Sequence, residues 1–135
     1  MRTDLRALTV VAMALWATAA AACGVCIEDR VAAVYDQAVV DRATAQGQHV
    51  AFFGVEGDLV PPAESRKSLA AALDRAGVRG TSRVSLESAT AAVAFDPRRT
   101  SPAAIASAAG RALAARGLRL ETLRVTGEGG VLREP

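Results

Sequence analysis

Little in this chain is suited to catalysis. It holds one histidine, His49, and two cysteines, Cys23 and Cys26. A Ser/His/Asp triad needs a histidine set between a nucleophile and an acid, and one histidine at a strand edge does not make that arrangement. No glycine-rich loop stands between a strand and a helix. The run Gly127-Glu128-Gly129-Gly130 falls in the C-terminal tail, so a phosphate-cradling loop is missing. Both methionines, Met1 and Met13, precede the body of the chain, which excludes a Met-rich copper site there. Aromatic residues make up 4% of the chain, and the formal charge is only +2. The arginines are scattered apart from Arg98-Arg99, so the basic stripe of a nucleic-acid binder is absent. No apolar run reaches the roughly 20 residues of a comfortable membrane span. The chain is therefore read as a non-enzyme that binds no nucleic acid.

The N-terminus carries the first positive signal. Arg2 and Arg6 precede an apolar run from Ala7 to Ala22, which ends in Ala20-Ala21-Ala22. A basic start, a short apolar stretch and an A-x-A ending describe a cleavable secretory signal over residues 1–22. Cleavage before Cys23 leaves 113 residues, 14 of them basic and 13 acidic. That length suits one modest core without a disulfide framework. The expected location is the periplasm or the exterior. Contact with a membrane requires an uncleaved signal or a lipid on Cys23. The lipoprotein pattern is imperfect, because Ala20 stands where a leucine is usual.

Along the mature chain the apolar pattern changes period. Ile27, Val31, Val34, Tyr35, Ala38 and Val39 recur at helical spacing, so one amphipathic helix is expected over Ile27–Gln46, within a segment 23–47. His49 to Phe53 reads as a buried strand closed by Gly54. Pro61 and Pro62 open a helix to Ala76 with Leu69, Leu73 and Ala76 inward, and Gly77 stops it. Arg83–Glu87 and Ala91–Phe95 alternate and predict a hairpin. Asp96-Pro97 turns the chain, Ser101 caps a helix with Pro102 at its first position, and Gly117 ends that helix. Its expected inward stripe is Ile105, Ala109, Ala112 and Leu113. Leu118–Val125 is the last strand, and residues 127–135 read as a flexible tail. The order from 48 to 126 is βαββαβ. This predicts an α+β, ferredoxin-like sandwich: a four-stranded antiparallel sheet with two helices on one face and an extra N-terminal amphipathic helix. That extra helix could cover the sheet's other face or dock elsewhere.

The cysteines stand in Cys23-Gly24-Val25-Cys26, just ahead of the first helix. Three readings stay open. Two thiolates suit a soft ion such as Cu(I), whereas zinc wants four ligands and would need His49, a carboxylate or a second chain. A Cys-x-x-C at a helix start also lowers a thiol pKa, which favours thiol–disulfide chemistry, although Glu28 and Asp29 oppose a negative sulfur. An inert local disulfide or a lipidated Cys23 is the third. His49 by itself reads as a half-buried structural residue before it reads as a ligand.

The stretch from Val84 to Leu118 resembles the second half of heavy-metal-associated domains. The shared features are the hairpin, the Phe95-Asp96-Pro97 turn, the Thr100-Ser101-Pro102 helix entry, Ile105 and the terminal Gly117. With the weaker likeness of His49–Gly57 to the family's first strand, the resemblance runs from about His49 to Val125. It implies the same fold and a soft-metal carrier handing its ion to an envelope acceptor across the sheet. The family's Cys-x-x-C belongs in the loop after the first strand. Here that loop is Gly54-Val55-Glu56-Gly57-Asp58-Leu59, without cysteine. Glu56 and Asp58 offer hard oxygens there and read as solvated. An envelope protein-binding module that keeps only the fold is the alternative to metal carriage.

Overall fold

A computed structural model describes residues 22–135. The expected export signal, Ala22 excepted, lies outside the described residues, and so do Met1 and Met13. The chain is an α+β domain built on a five-stranded antiparallel sheet. In chain order it runs α1 (Ala22–Ala32), α2 (Gln37–Ala45), β1 (His49–Glu56), α3 (Pro62–Ala76), β2 (Arg83–Ser85), β3 (Thr90–Phe95), α4 (Pro102–Leu113), β4 (Arg119–Thr126) and β5 (Leu132–Arg133). Strand order across the sheet is β2-β3-β1-β4-β5, and each neighbouring pair is antiparallel. Among the described residues no helix is long and apolar enough to cross a membrane.

The central strand β1 is buried on both faces, which explains its unbroken apolar run. Alternation sends Ala51, Phe53 and Val55 to one side, against Leu69 and Leu73 of α3 and Ile105, Ala109 and Leu113 of α4. Val50 and Phe52 point the other way, against Val31 of α1, Val34, and Val40 and Ala43 of α2. Each fully buried Phe or Leu contributes roughly 1.5–3 kcal/mol. On β3 the second face carries Ala92 and Ala94, opposite Phe52 and Val50, so small residues there make room for the helices. Helices thus cover both faces of the sheet. Of the inward stripe expected for α4, Ile105, Ala109 and Leu113 are buried, whereas Ala112 is exposed.

Two expectations need correction. The single helix over Ile27–Gln46 is two helices, broken at 33–36. Asp36 is the physical reason. Its backbone is extended, and its carboxylate accepts hydrogen bonds from the N–H groups of Ala38 (3.0 Å) and Val39 (3.3 Å), which starts α2 afresh. The break also resets the phase: α2 buries Val40 and Ala43, while Ala38 is exposed and Val39 half-buried. The second correction concerns residues 127–135. A short 3-10 turn, Glu128–Gly130, brings the chain back, and β5 pairs Leu132 and Arg133 with Thr126 and Val125.

Candidate functional site

Cys23 and Cys26 both fall inside α1, three residues apart and so on adjoining turns. The helix that carries them is held on the sheet by polar ties further along. Glu28 accepts from the Arg124 guanidinium of β4 at 2.8 Å. Arg30 donates to the backbone carbonyls of Ser88 (3.2 Å) and Ala89 (2.8 Å) in the turn between β2 and β3. It crosses Gly54 on the way, and a Cβ there would lie 2.7 Å from the guanidinium. Glycine in β1 lets the guanidinium lie close against the strand. Asp36 pairs with Arg83 of β2 and completes the attachment.

Arg124 reaches Glu28 because β4 is irregular. Phe52 lies opposite Arg124 and Phe53 opposite Thr122, which leaves Leu123 as an extra residue. This bulge sets Leu123 and Arg124 on the same side of the sheet. Leu123 packs among Val31, Val34 and Phe52, and Arg124 meets the carboxylate above them. None of these ties had a sequence signature. The arginines read from the sequence only as scattered charge. The residue type of Asp36, a favoured N-cap inside an apolar pattern, was the signal that could have revealed the break.

The structure does not bring His49 to the cysteine-bearing helix. His49 begins β1 beside Phe95, with its ring edge-on to that ring at 5.9 Å, on the α3–α4 side of the sheet. α1 packs on the opposite side. His49 borders two neighbouring clefts. One, of about 410 Å³, lies among Ser101, Pro102, Thr122 and the chain end at Arg133. The other, of about 400 Å³, lies between Gly47, Pro97 and Glu128. Among the described residues no three His, Cys, Asp or Glu side chains gather closely enough to hold a metal ion.

The two carboxylates of the β1–α3 loop are engaged locally. Glu56 pairs with Arg119 at 3.0 Å, and Asp58 accepts from the Val60 N–H at 3.1 Å. The loop packs tightly at Gly57, where φ is +118° and a Cβ would sit 2.5 Å from the Gly117 carbonyl oxygen. In the next turn, Asp96 accepts from the Arg98 backbone N–H at 2.9 Å and from its guanidinium at 3.2 Å. That N–H above all holds the Asp96 carboxyl below its ordinary value; desolvation opposes it, and the Arg98 guanidinium bond and the charges of Arg98 and Arg99 add smaller pulls downward.

No family model, curated protein or solved structure matches this chain.

Cys23 and Cys26 thus share one helix, while His49 lies on the other face of the sheet and Glu28 is held by Arg124.

Proposed function

We propose that this protein is an exported soft-metal-binding protein, not an enzyme, in which Cys23 and Cys26 hold Cu(I) or a similar ion for delivery to an envelope acceptor. The observation that carries the reading is the position of Cys-x-x-C on α1, ahead of the residues that fasten this helix to the sheet. A pair of thiols on adjoining turns is a ready chelate, and the anchored helix limits what must be ordered on binding. The scaffold is read as a ferredoxin-like βαββαβ sandwich of heavy-metal-associated type. In support, β2-β3-β1-β4 places β1 and β3 at the centre and puts α3 and α4 on one face. Two departures from that family go with the reading. The cysteines have moved from the β1–α3 loop to a preceding helix, and α1 and α2 cover the sheet face that a carrier of this kind would otherwise leave open. Docking by the acceptor is accordingly assigned to the α1 end of the molecule.

Copper(I) titration of reduced protein against a chromophoric chelator tests this, together with the intact mass of protein recovered from the cell envelope. One tightly held Cu(I) per chain is expected, abolished in the Cys23→Ala/Cys26→Ala variant and unaffected by His49→Ala. Absence of retention in the reduced wild-type protein, or a lipid on Cys23, would overturn it. A chain without metal that exchanges with a test disulfide, and loses exchange in Cys26→Ala, would establish the thiol–disulfide reading instead.

A further inference from the structure

We propose that the protein pairs with a second copy of itself along the outer edge of β4. That strand runs from Arg119 to Thr126, and β5 flanks it only at Val125 and Thr126. Among the described residues, no strand lies beside the remainder of that edge. Its outward N–H and C=O groups are a template for another extended segment. A groove of about 560 Å³ runs next to it, lined by Leu118 and Leu120 on the strand side and by Ala106, Gly110 and Ala114 of α4. Among the described residues the rest of the sheet offers less backbone to pair with. Helices cover both faces, and the opposite edge, β2, is three residues long with Arg83 tied to Asp36.

The charge order along β4 selects the occupant. It begins Arg119-Leu120-Glu121-Thr122. Antiparallel self-pairing about a two-fold axis at Leu120 sets Arg119 opposite Glu121 of the second copy, and Glu121 opposite its Arg119. Opposite charges directly across a ladder are favourable. Moving the axis to Glu121 sets two carboxylates face to face, and a one-residue slip turns the apolar side outward, so the register is specified. In the favoured register the two Leu120 side chains meet at the axis on the groove side. The small residues of α4 leave room there for the α4 of the second copy. Arg119 is free to make the new pair: its bond to Glu56 is solvent-exposed, with 80% of the side chain accessible. A two-fold contact uses the edge once in each copy, so association stops at the dimer. The proposal stands independently of metal binding.

Sedimentation equilibrium over a wide concentration range, with reductant present to exclude a disulfide between copies, tests it. The wild-type protein is expected to dimerise reversibly. Arg119→Glu and Glu121→Arg should each weaken the dimer by about tenfold or more, since each puts like charges across the ladder at two symmetry-related places. An equimolar mixture of the two variants should associate again, because an acidic edge then faces a basic one. Recovery in the mixture shows that both variants are folded, and circular dichroism of each provides a separate check. Wild-type protein that stays monomeric, a dimer indifferent to either substitution, or variants that are folded yet fail to associate when mixed would each overturn the proposal.

Discussion

Arg30 reaches from α1 over Gly54 to the hairpin turn, where the carbonyls of Ser88 and Ala89 receive it. Ala89 takes a left-handed φ of +48°, and its carbonyl also accepts from the Val55 N–H at 2.8 Å. The guanidinium therefore holds a turn that its own backbone does not favour. Arg30→Ala should lower stability by about 1.5–3 kcal/mol in urea denaturation, the range for hydrogen bonds to a charged group. Arg30→Lys should recover only part of that, because an ammonium cannot present two donors in a fixed fork. Asp96 gives a second expectation at this scale. Folding lowers its pKa, so its contribution to stability is present above the unfolded value, near pH 4, and is lost as pH falls through the lower folded value. The carboxyl resonance of Asp96 should titrate below that of an unstructured aspartate, and Arg98→Gly should move it upward. The backbone N–H remains in that variant, so the return should be incomplete.

Helix boundaries are settled by local chemistry that periodicity overlooks. Val31, Val34, Tyr35, Ala38 and Val39 fit one continuous helix, yet Asp36 caps a new one and the inward face moves to Val40 and Ala43. Asp36→Ala should cost about 1 kcal/mol through loss of the cap. Asp36→Asn keeps the capping oxygen and removes only an exposed pair with Arg83, so it should lie within about 1 kcal/mol of wild type. Equal losses in the two variants would show that the ion pair, not the cap, sets the boundary. Other elements were legible because a single residue announces each. Pro62 opens α3, Ser101 and Pro102 open α4, and Gly77 and Gly117 end the helical stretches. The bulge in β4 announces nothing, since Leu123 and Arg124 look like the next steps of an ordinary strand. β5 was hidden for a similar reason. Two residues after a glycine-rich run carry no alternation, and only the partner strand makes them a strand.

At the scale of the molecule the sheet serves two cores. The larger is filled by α3 and α4, the smaller by α1 and α2. Tyr35 lies stacked against Phe52 at 6.0 Å and widens the second core beyond its aliphatic residues. This arrangement places the cysteine pair and His49 on opposite sides of the sheet, and it leaves the edge of β4 as the open flank of the described fold. The candidate site was thus half legible. Adjacent cysteines need only the chain to bring them together, so Cys23 and Cys26 could be read directly. The place of His49 on the other face could not, because which way a strand-end side chain points depends on register with β3.

The sequence alone determined the α+β class, the order of the elements from β1 to β4, and the nearness of Cys23 and Cys26 along the chain. Those follow from short-range causes: apolar spacing, proline and glycine punctuation, and three-residue proximity. Tertiary structure alone decided that the two N-terminal helices lie over the sheet, that Arg30 and Arg124 fasten α1 there, and that, among the described residues, no strand lies beside most of the outer edge of β4. Each of those depends on contacts between residues distant in sequence, such as Arg30 with Ala89 and Glu28 with Arg124, for which the linear pattern carries no periodicity.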